Sequence, residues 1–264
     1  MQRYELIVIG AGPAGLSAAI QAAGGAPLTV VYRRSGARHT ATLTPTTDES
    51  GHYKAGVWVR DSGAGIGTMS FVDPQRGTFA GLGHSISDAD TGADLTLLSG
   101  EIVPVTITGC IRGAAGSPGE LRGEFAAAPA GTVLANDAAG VYGSYTGSCT
   151  APALPGANLQ EVTPGEAELW TTVLGTTAQP YTIQVERVTM TGSDPNRNLL
   201  IRVTDKRLLD ATGGVVQGMS GSPIVQNGRL AAVLTHVLVN DPSRGYAIFA
   251  TTMLEKADAV VSSK

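Results

Sequence analysis

The chain has 264 residues and a net charge of −4, its 18 Lys and Arg mixed with 22 Asp and Glu without a basic stripe, which argues against a nucleic-acid partner. No run of about 18 apolar residues offers a membrane-spanning helix, and no basic region precedes an apolar core at the N-terminus as an export signal requires. Glycine at 35 residues and charged residues at only 15% favour short strands and tight turns, in one or two domains with a real core.

In chain order, residues 4–9 read as a strand, Gly10-Ala11-Gly12-Pro13-Ala14-Gly15 as a glycine turn and residues 16–23 as a helix. That is G-x-G-x-x-G in the strand–turn–helix context of a dinucleotide site. The next strand, residues 28–32, ends in Arg33-Arg34, where a ribose-binding fold wants an acidic side chain. After it comes only one more short strand, residues 39–43, so the rest of a doubly wound sheet is missing. A half-fold of this length does not wrap a cofactor, and none is expected; a flavin or nicotinamide oxidoreductase fragment stands as the alternative function. His39 and His52, in a hairpin and a linker, read as solvated surface imidazoles.

From His52 onward the chain reads as strands separated by turns. Residues 53–61 alternate, 63–67 bend, 68–72 continue to the turn at Asp73-Pro74, and 79–83 return. Further short apolar runs follow at 102–107, 124–127, 169–173, 181–188, 199–203, 222–225, 230–239 and 245–249, a spacing suited to an all-β barrel or sandwich. Residues 113–156, rich in Gly, Ala, Ser and Pro, show no period and read as loop and irregular strand. Only residues 253–261 read as a closing helix. Arg60 and Asp61 read as a salt-bridged strand pair without chemistry. Cys110 and Cys149 either pair in an oxidising compartment or remain thiols. Neither C-x-x-C nor H-x-x-x-H occurs, so no metal site is expected.

The chemistry concentrates in Gln217-Gly218-Met219-Ser220-Gly221-Ser222-Pro223. A serine between glycines on a tight turn is open to an approaching carbonyl, and the amides of Gly218 and Ser220 are natural donors to a developing oxyanion. Such a serine needs a base. Of the four histidines, His84 in Gly81-Leu82-Gly83-His84-Ser85 is best placed, between small residues at a strand end and 136 positions upstream (220 − 84). His236, within the apolar run 233–238, reads as a packed or pocket-wall imidazole; with Thr235 it is a candidate wall of a substrate pocket. Asp88, Asp94, Asp194, Asp205 and Asp210 are the candidate carboxylates to hold the imidazole in its working tautomer.

The stretches Val57-Trp58-Val59-Arg60-Asp61-Ser62-Gly63-Ala64-Gly65-Ile66-Gly67-Thr68-Met69, Gly81-Leu82-Gly83-His84, Gly213 to Pro223 and Leu234-Thr235-His236 to Pro242, in that order, together resemble the stage IV sporulation protein B family of serine peptidases. The resemblance covers the chain from about Thr47 to the C-terminus. It implies a trypsin-like double β-barrel over residues 47–264, with His from the first barrel and Ser from the second. It implies a PDZ-like origin for residues 1–46, as a partial α+β segment, beside the alternative of a dinucleotide-binding remnant. The family usually carries an N-terminal anchoring or export segment and a whole PDZ domain, so by that measure this chain is truncated. The family's acid falls on Asp205, in the matching V-T-D stretch, giving Ser220, His84 and Asp205; a strand-end cap is the competing reading of Asp205. The resemblance further implies an exported signalling protease of sporulation. Such a protease cleaves itself and a membrane-bound regulator in the space between two membranes, and so activates an intramembrane protease and a late sigma factor. An inactive binding module that keeps the barrel is the other alternative.

Overall fold

The computed structural model describes residues 13–34, 36–57, 63–88, 92–191 and 194–262. The expected strand at 4–9, positions 10–12 of the glycine turn and the Arg60–Asp61 pair lie outside these residues. The chain divides into two compact units, Met1–Ala64 and Gly65–Lys264.

In the first unit, helix α1 (Pro13–Ala23) is followed by the antiparallel hairpin of β1 (Leu28–Arg34) and β2 (Ala37–Leu43), in register from Leu28 opposite Leu43 to Arg34 opposite Ala37. Two short strands, β3 (Thr46–Thr47) and β4 (Tyr53–Lys54), close it. Ile20 on α1 is buried, and the Gln21 side chain donates to the Tyr53 carbonyl at 2.8 Å, tying the helix to β4. His39 is exposed on β2 with its ring stacked on Tyr32, and His52 is exposed beside Asp48.

The second unit opens with β5 (Met69–Asp73), β6 (Thr78–Gly81), β7 (Glu101–Ile102), β8 (Val105–Ile111), β9 (Glu120–Phe125), β10 (Gly131–Asp137) and β11 (Gly140–Tyr145). Five of these form one sheet in the order β5-β6-β11-β10-β7, an open half-barrel, while β8 and β9 pair with each other. The strands β12 (Gly165–Thr171), β13 (Gln179–Val188), β14 (Leu199–Val203), β15 (Pro223–Gln226), β16 (Arg229–Val237) and β17 (Arg244–Phe249) then close into a barrel ordered β12-β13-β14-β17-β16-β15. Closed barrel and half-barrel together make the mostly-β, trypsin-like architecture that the resemblance implies.

The barrel forms because its strands alternate. Leu199, Ile201 and Val203 of β14 point inward, as do Tyr181, Ile183 and Val185 of β13, and they pack with Leu169, Met219, Ile224, Leu234 and Phe249. A second cluster joins Ala80 and Tyr142 of the half-barrel to Val233 and Ile248 of the barrel through Met253 of the closing helix α3 (Ala250–Ser262). The segment read as loop and irregular strand over 113–156 contains three strands, β9, which the run at 124–127 overlaps only at its end, and the regular β10 and β11. A further unexpected element is helix α2 (Lys206–Thr212), between β14 and β15. Both cysteines are free, Cys110 half-buried and Cys149 exposed.

Candidate active site

The serine turn is best understood peptide by peptide. The Gln217 carbonyl accepts from the Leu121 amide at 2.8 Å, and the Met219 carbonyl accepts from the Ser222 amide at 2.9 Å. The two intervening peptides are held at both ends. The Gly218 carbonyl accepts from the Thr68 hydroxyl at 3.1 Å, and the amide of the same peptide, Met219 N–H, donates to Val216 at 3.2 Å. The Ser220 carbonyl accepts from the Thr68 amide at 2.8 Å, and its peptide's amide, Gly221 N–H, donates to Leu234 at 2.8 Å. What remains, among the described residues, is the Gly218 and Ser220 amides, two alternate donors with no acceptor. Gly218 and Gly221 sit at φ +96° and +98°, the left-handed side that glycine enters without a Cβ penalty. Alternate peptides thus face opposite ways, and the two free donors belong to the serine's own residue and the glycine two before it.

The Ser220 hydroxyl itself donates to the Thr235 carbonyl at 2.7 Å, and no hydrogen bond joins it to His84. Thr235 is an extra residue on β16: Leu234 faces Ala247 and His236 faces Tyr246, leaving it bulged between them. Its side chain is buried and its hydroxyl is shared between the carbonyls of Asn196 and Tyr246, so what Thr235 presents to the site is its backbone oxygen.

His84 follows β6 across a turn in which Leu82 and Gly83 both have positive φ. Gly83 leaves no room for a Cβ, which would stand 2.9 Å from Thr235 and 3.1 Å from Ile248; the turn is pressed against β16 and β17. His84 Nδ1 lies 2.7 Å from the Ser85 carbonyl. A carbonyl only accepts, so Nδ1 carries the proton and Nε2 is left as an acceptor, the tautomer a general base needs. On one face His84 meets His236, ring centroids 5.1 Å apart. Burial pushes the His236 imidazole below its ordinary value, the nearby His84 ring and Arg197 guanidinium push the same way, and Asp194 opposes them.

The structure brings Ser220, Gly218, Thr235 and His236 together, and joins His84 to them through His236. It does not bring Asp205 to His84. Asp205 caps α2, accepting from the Arg207 amide at 2.8 Å and from its guanidinium at 2.7 and 3.1 Å, and from the Thr182 amide at 3.3 Å. The Arg207 side-chain bonds hold its carboxyl down to about 2. Asp194 pairs with Arg197 and Asp210 with Lys206. Asp94 accepts from the hydroxyls of Ser85 and Ser87, the first being the residue whose carbonyl meets His84, and these two bonds lower its pKa. The residue that sequence reading missed is Thr68, whose position inside the Gly65 to Met69 stretch was its only signal.

Comparison with known proteins follows the same lines. The family model of SpoIVB peptidase S55 matches residues 51–254. Among solved structures, the Rv3671c protease from M. tuberculosis in its active form is 16% identical with a TM-score of 0.38, over 61% of this chain and 80% of that one. Its inactive form is 16% identical with a TM-score of 0.37, over 53% and 72%. No curated protein matches significantly. No helix among the described residues is long and apolar enough to cross a membrane. On the family match, the chain belongs to the SpoIVB peptidase S55 family and is a serine peptidase.

Proposed function

We propose that the protein is a serine endopeptidase in which Ser220 is the nucleophile and His84 the general base. The observation that carries this reading is the pair of unpaired amides, Gly218 and Ser220, on the glycine turn that carries the Ser220 hydroxyl. Ser220 exchanges the Thr235 carbonyl for His84 Nε2, loses its proton to that nitrogen and attacks the peptide carbonyl. The negative oxygen enters the two free amides, each worth about 3 to 4 kcal/mol of barrier in such sites. His84 then returns the proton to the leaving amine, and water repeats the cycle on the acyl-enzyme.

In this reading the tautomer is held by the Ser85 carbonyl in the state described, and Asp205, the acid implied by the family, serves as a helix cap. Thr235 supplies backbone to the site, and His236 walls it. Protein or peptide chains are the substrates. Family membership supports the finer proposal that the enzyme is an exported sporulation protease that cleaves itself and a membrane-bound regulator. It likewise supports a PDZ-like identity for residues 1–46 beside a peptidase domain at 47–264.

A fluorophosphonate probe tests the core of the proposal. It should label the wild-type protein at Ser220, and neither Ser220→Ala nor His84→Ala should label or hydrolyse casein, since members of such a site act as a unit. Full activity in Ser220→Ala would overturn the mechanism.

A further inference from the structure

We infer that Thr68 is a positioning residue for the oxyanion hole, holding the Gly218 and Ser220 amides in place through the peptides that separate and follow them. The inference rests on the reading of Ser220 as nucleophile.

Thr68 makes two of the bonds that orient the turn, and they come from different atoms. Its hydroxyl donates to the Gly218 carbonyl at 3.1 Å and its amide to the Ser220 carbonyl at 2.8 Å. Its own carbonyl accepts from the Leu82 amide at 3.2 Å, two residues before His84. One residue at the start of β5 therefore touches both the serine turn and the segment that delivers the histidine. Gly221 shows how close this approach is: a Cβ there would lie 1.9 Å from the Thr68 carbonyl oxygen.

The hydroxyl matters because of what is left without it. The peptide between Gly218 and Met219 would keep only its long 3.2 Å bond to Val216. Gly218, at φ +96° and without a side chain, resists rotation of that peptide weakly. Rotation would move the Gly218 carbonyl, rich in negative charge, towards the place where the oxyanion develops and would loosen the alignment of the donors in the peptides on either side, Gly218 N–H and Ser220 N–H. Nothing in this mechanism touches the ground-state contacts of a peptide elsewhere in the cleft, so the loss belongs in the chemical step.

Thr68→Val keeps the branched shape and the backbone bonds and removes only the hydroxyl; Thr68→Ser keeps the hydroxyl. The measurement is the rate of Ser220 labelling against fluorophosphonate concentration, which separates the maximal rate from the half-saturating concentration, with thermal melting alongside. Removal of a whole oxyanion donor lowers rates by about 100- to 1000-fold, so a donor displaced rather than deleted is expected to lower the maximal rate by about 10- to 100-fold, with half-saturation unchanged. Thr68→Ser should restore the rate to within about threefold of wild type. A Val variant that labels at the wild-type rate would overturn the inference, as would Val and Ser variants that slow equally and melt equally early. A wild-type protein that is not labelled at Ser220, or a Ser220→Ala protein that is, would overturn the nucleophile assignment instead.

Discussion

The imidazoles of His84 and His236 lie 5.1 Å apart between ring centroids with 36° between their planes, so two titratable rings pack against each other at a tilt. Both cannot carry charge cheaply at that distance. Burial pushes His236 down first, and the neighbouring His84 ring and the Arg197 guanidinium add to it, against the single opposing carboxylate of Asp194. Tyr246 is the neighbour across the strand pair.

With the folded-state pKa below the ordinary 6.5, the unfolded chain takes up a proton first as pH falls, so this group makes stability level above that value and declining below it. His236→Phe keeps a ring against His84 and removes the titration. Denaturant midpoints at pH 8 and pH 5 should differ less in that variant than in the wild type. An equal difference would place the acid sensitivity in another group.

Asp205 separates two roles that the sequence alone leaves together. As the cap of α2 and partner of Arg207, it contributes stability above the ordinary carboxylate value that is lost as pH falls from 3.8 towards about 2. Asp205→Ala should cost about 1 kcal/mol of stability through the lost cap, and Asp205→Asn, itself a good cap, less. Labelling of Ser220 in folded Asp205→Asn should stay within about threefold of wild type. A loss of orders of magnitude without unfolding would return the carboxylate to His84, as the family resemblance implies.

The two glycines of the turn should tolerate alanine unequally. At Gly221 a Cβ would meet backbone on both sides, the Thr68 carbonyl at 1.9 Å and the Leu82 amide at 2.7 Å, whereas at Gly218 it would meet side chains of Leu121 and Ile66 at 3.1 to 3.3 Å. Both pay the left-handed strain of order 1–3 kcal/mol, but only Gly221 must also displace the strand start. Gly221→Ala should melt about 5 °C or more below wild type and Gly218→Ala should fall less. Equal melting temperatures would mean that the Thr68 contact is looser than drawn.

What sequence could and could not reveal divides along physical lines. The closed barrel was readable because β13 and β14 alternate inward Ile, Val and Leu with polar residues, a period no turn can imitate. The strands β10 and β11 were not, and β9 only at its end, because glycine dilutes that period. Gly143 shows why glycine is there: a Cβ would stand 2.0 Å from the Thr132 carbonyl of the paired strand. Helix α2 was signalled by Asp205 before it and Gly213 after it, at φ +79°, an N-cap and a C-cap that were hidden by reading the aspartate as an acid. In the site, Ser220 and His84 stood out as hydroxyl and imidazole among small residues. Thr68 had only its place in the Gly65 to Met69 stretch to mark it, since its bond to Gly218 joins positions 150 apart.

Ser220, His84, Gly218, Thr235, His236 and Thr68 all belong to Gly65–Lys264, while the family match begins at residue 51 and the expected boundary lies between residues 46 and 47. A chain lacking residues 1–46 should fold and be labelled at Ser220, because among the described residues every hydrogen bond that shapes the turn comes from within the second unit. A chain lacking residues 1–64 removes β3 and β4 as well, and with the barrel clusters intact it should be labelled at a similar rate. If the first deletion is labelled and the second folds but is not, residues 47–64 contribute to the peptidase and the domain begins where the family match does. If neither folded deletion is labelled, residues 1–46 complete the active site and the boundary is wrong.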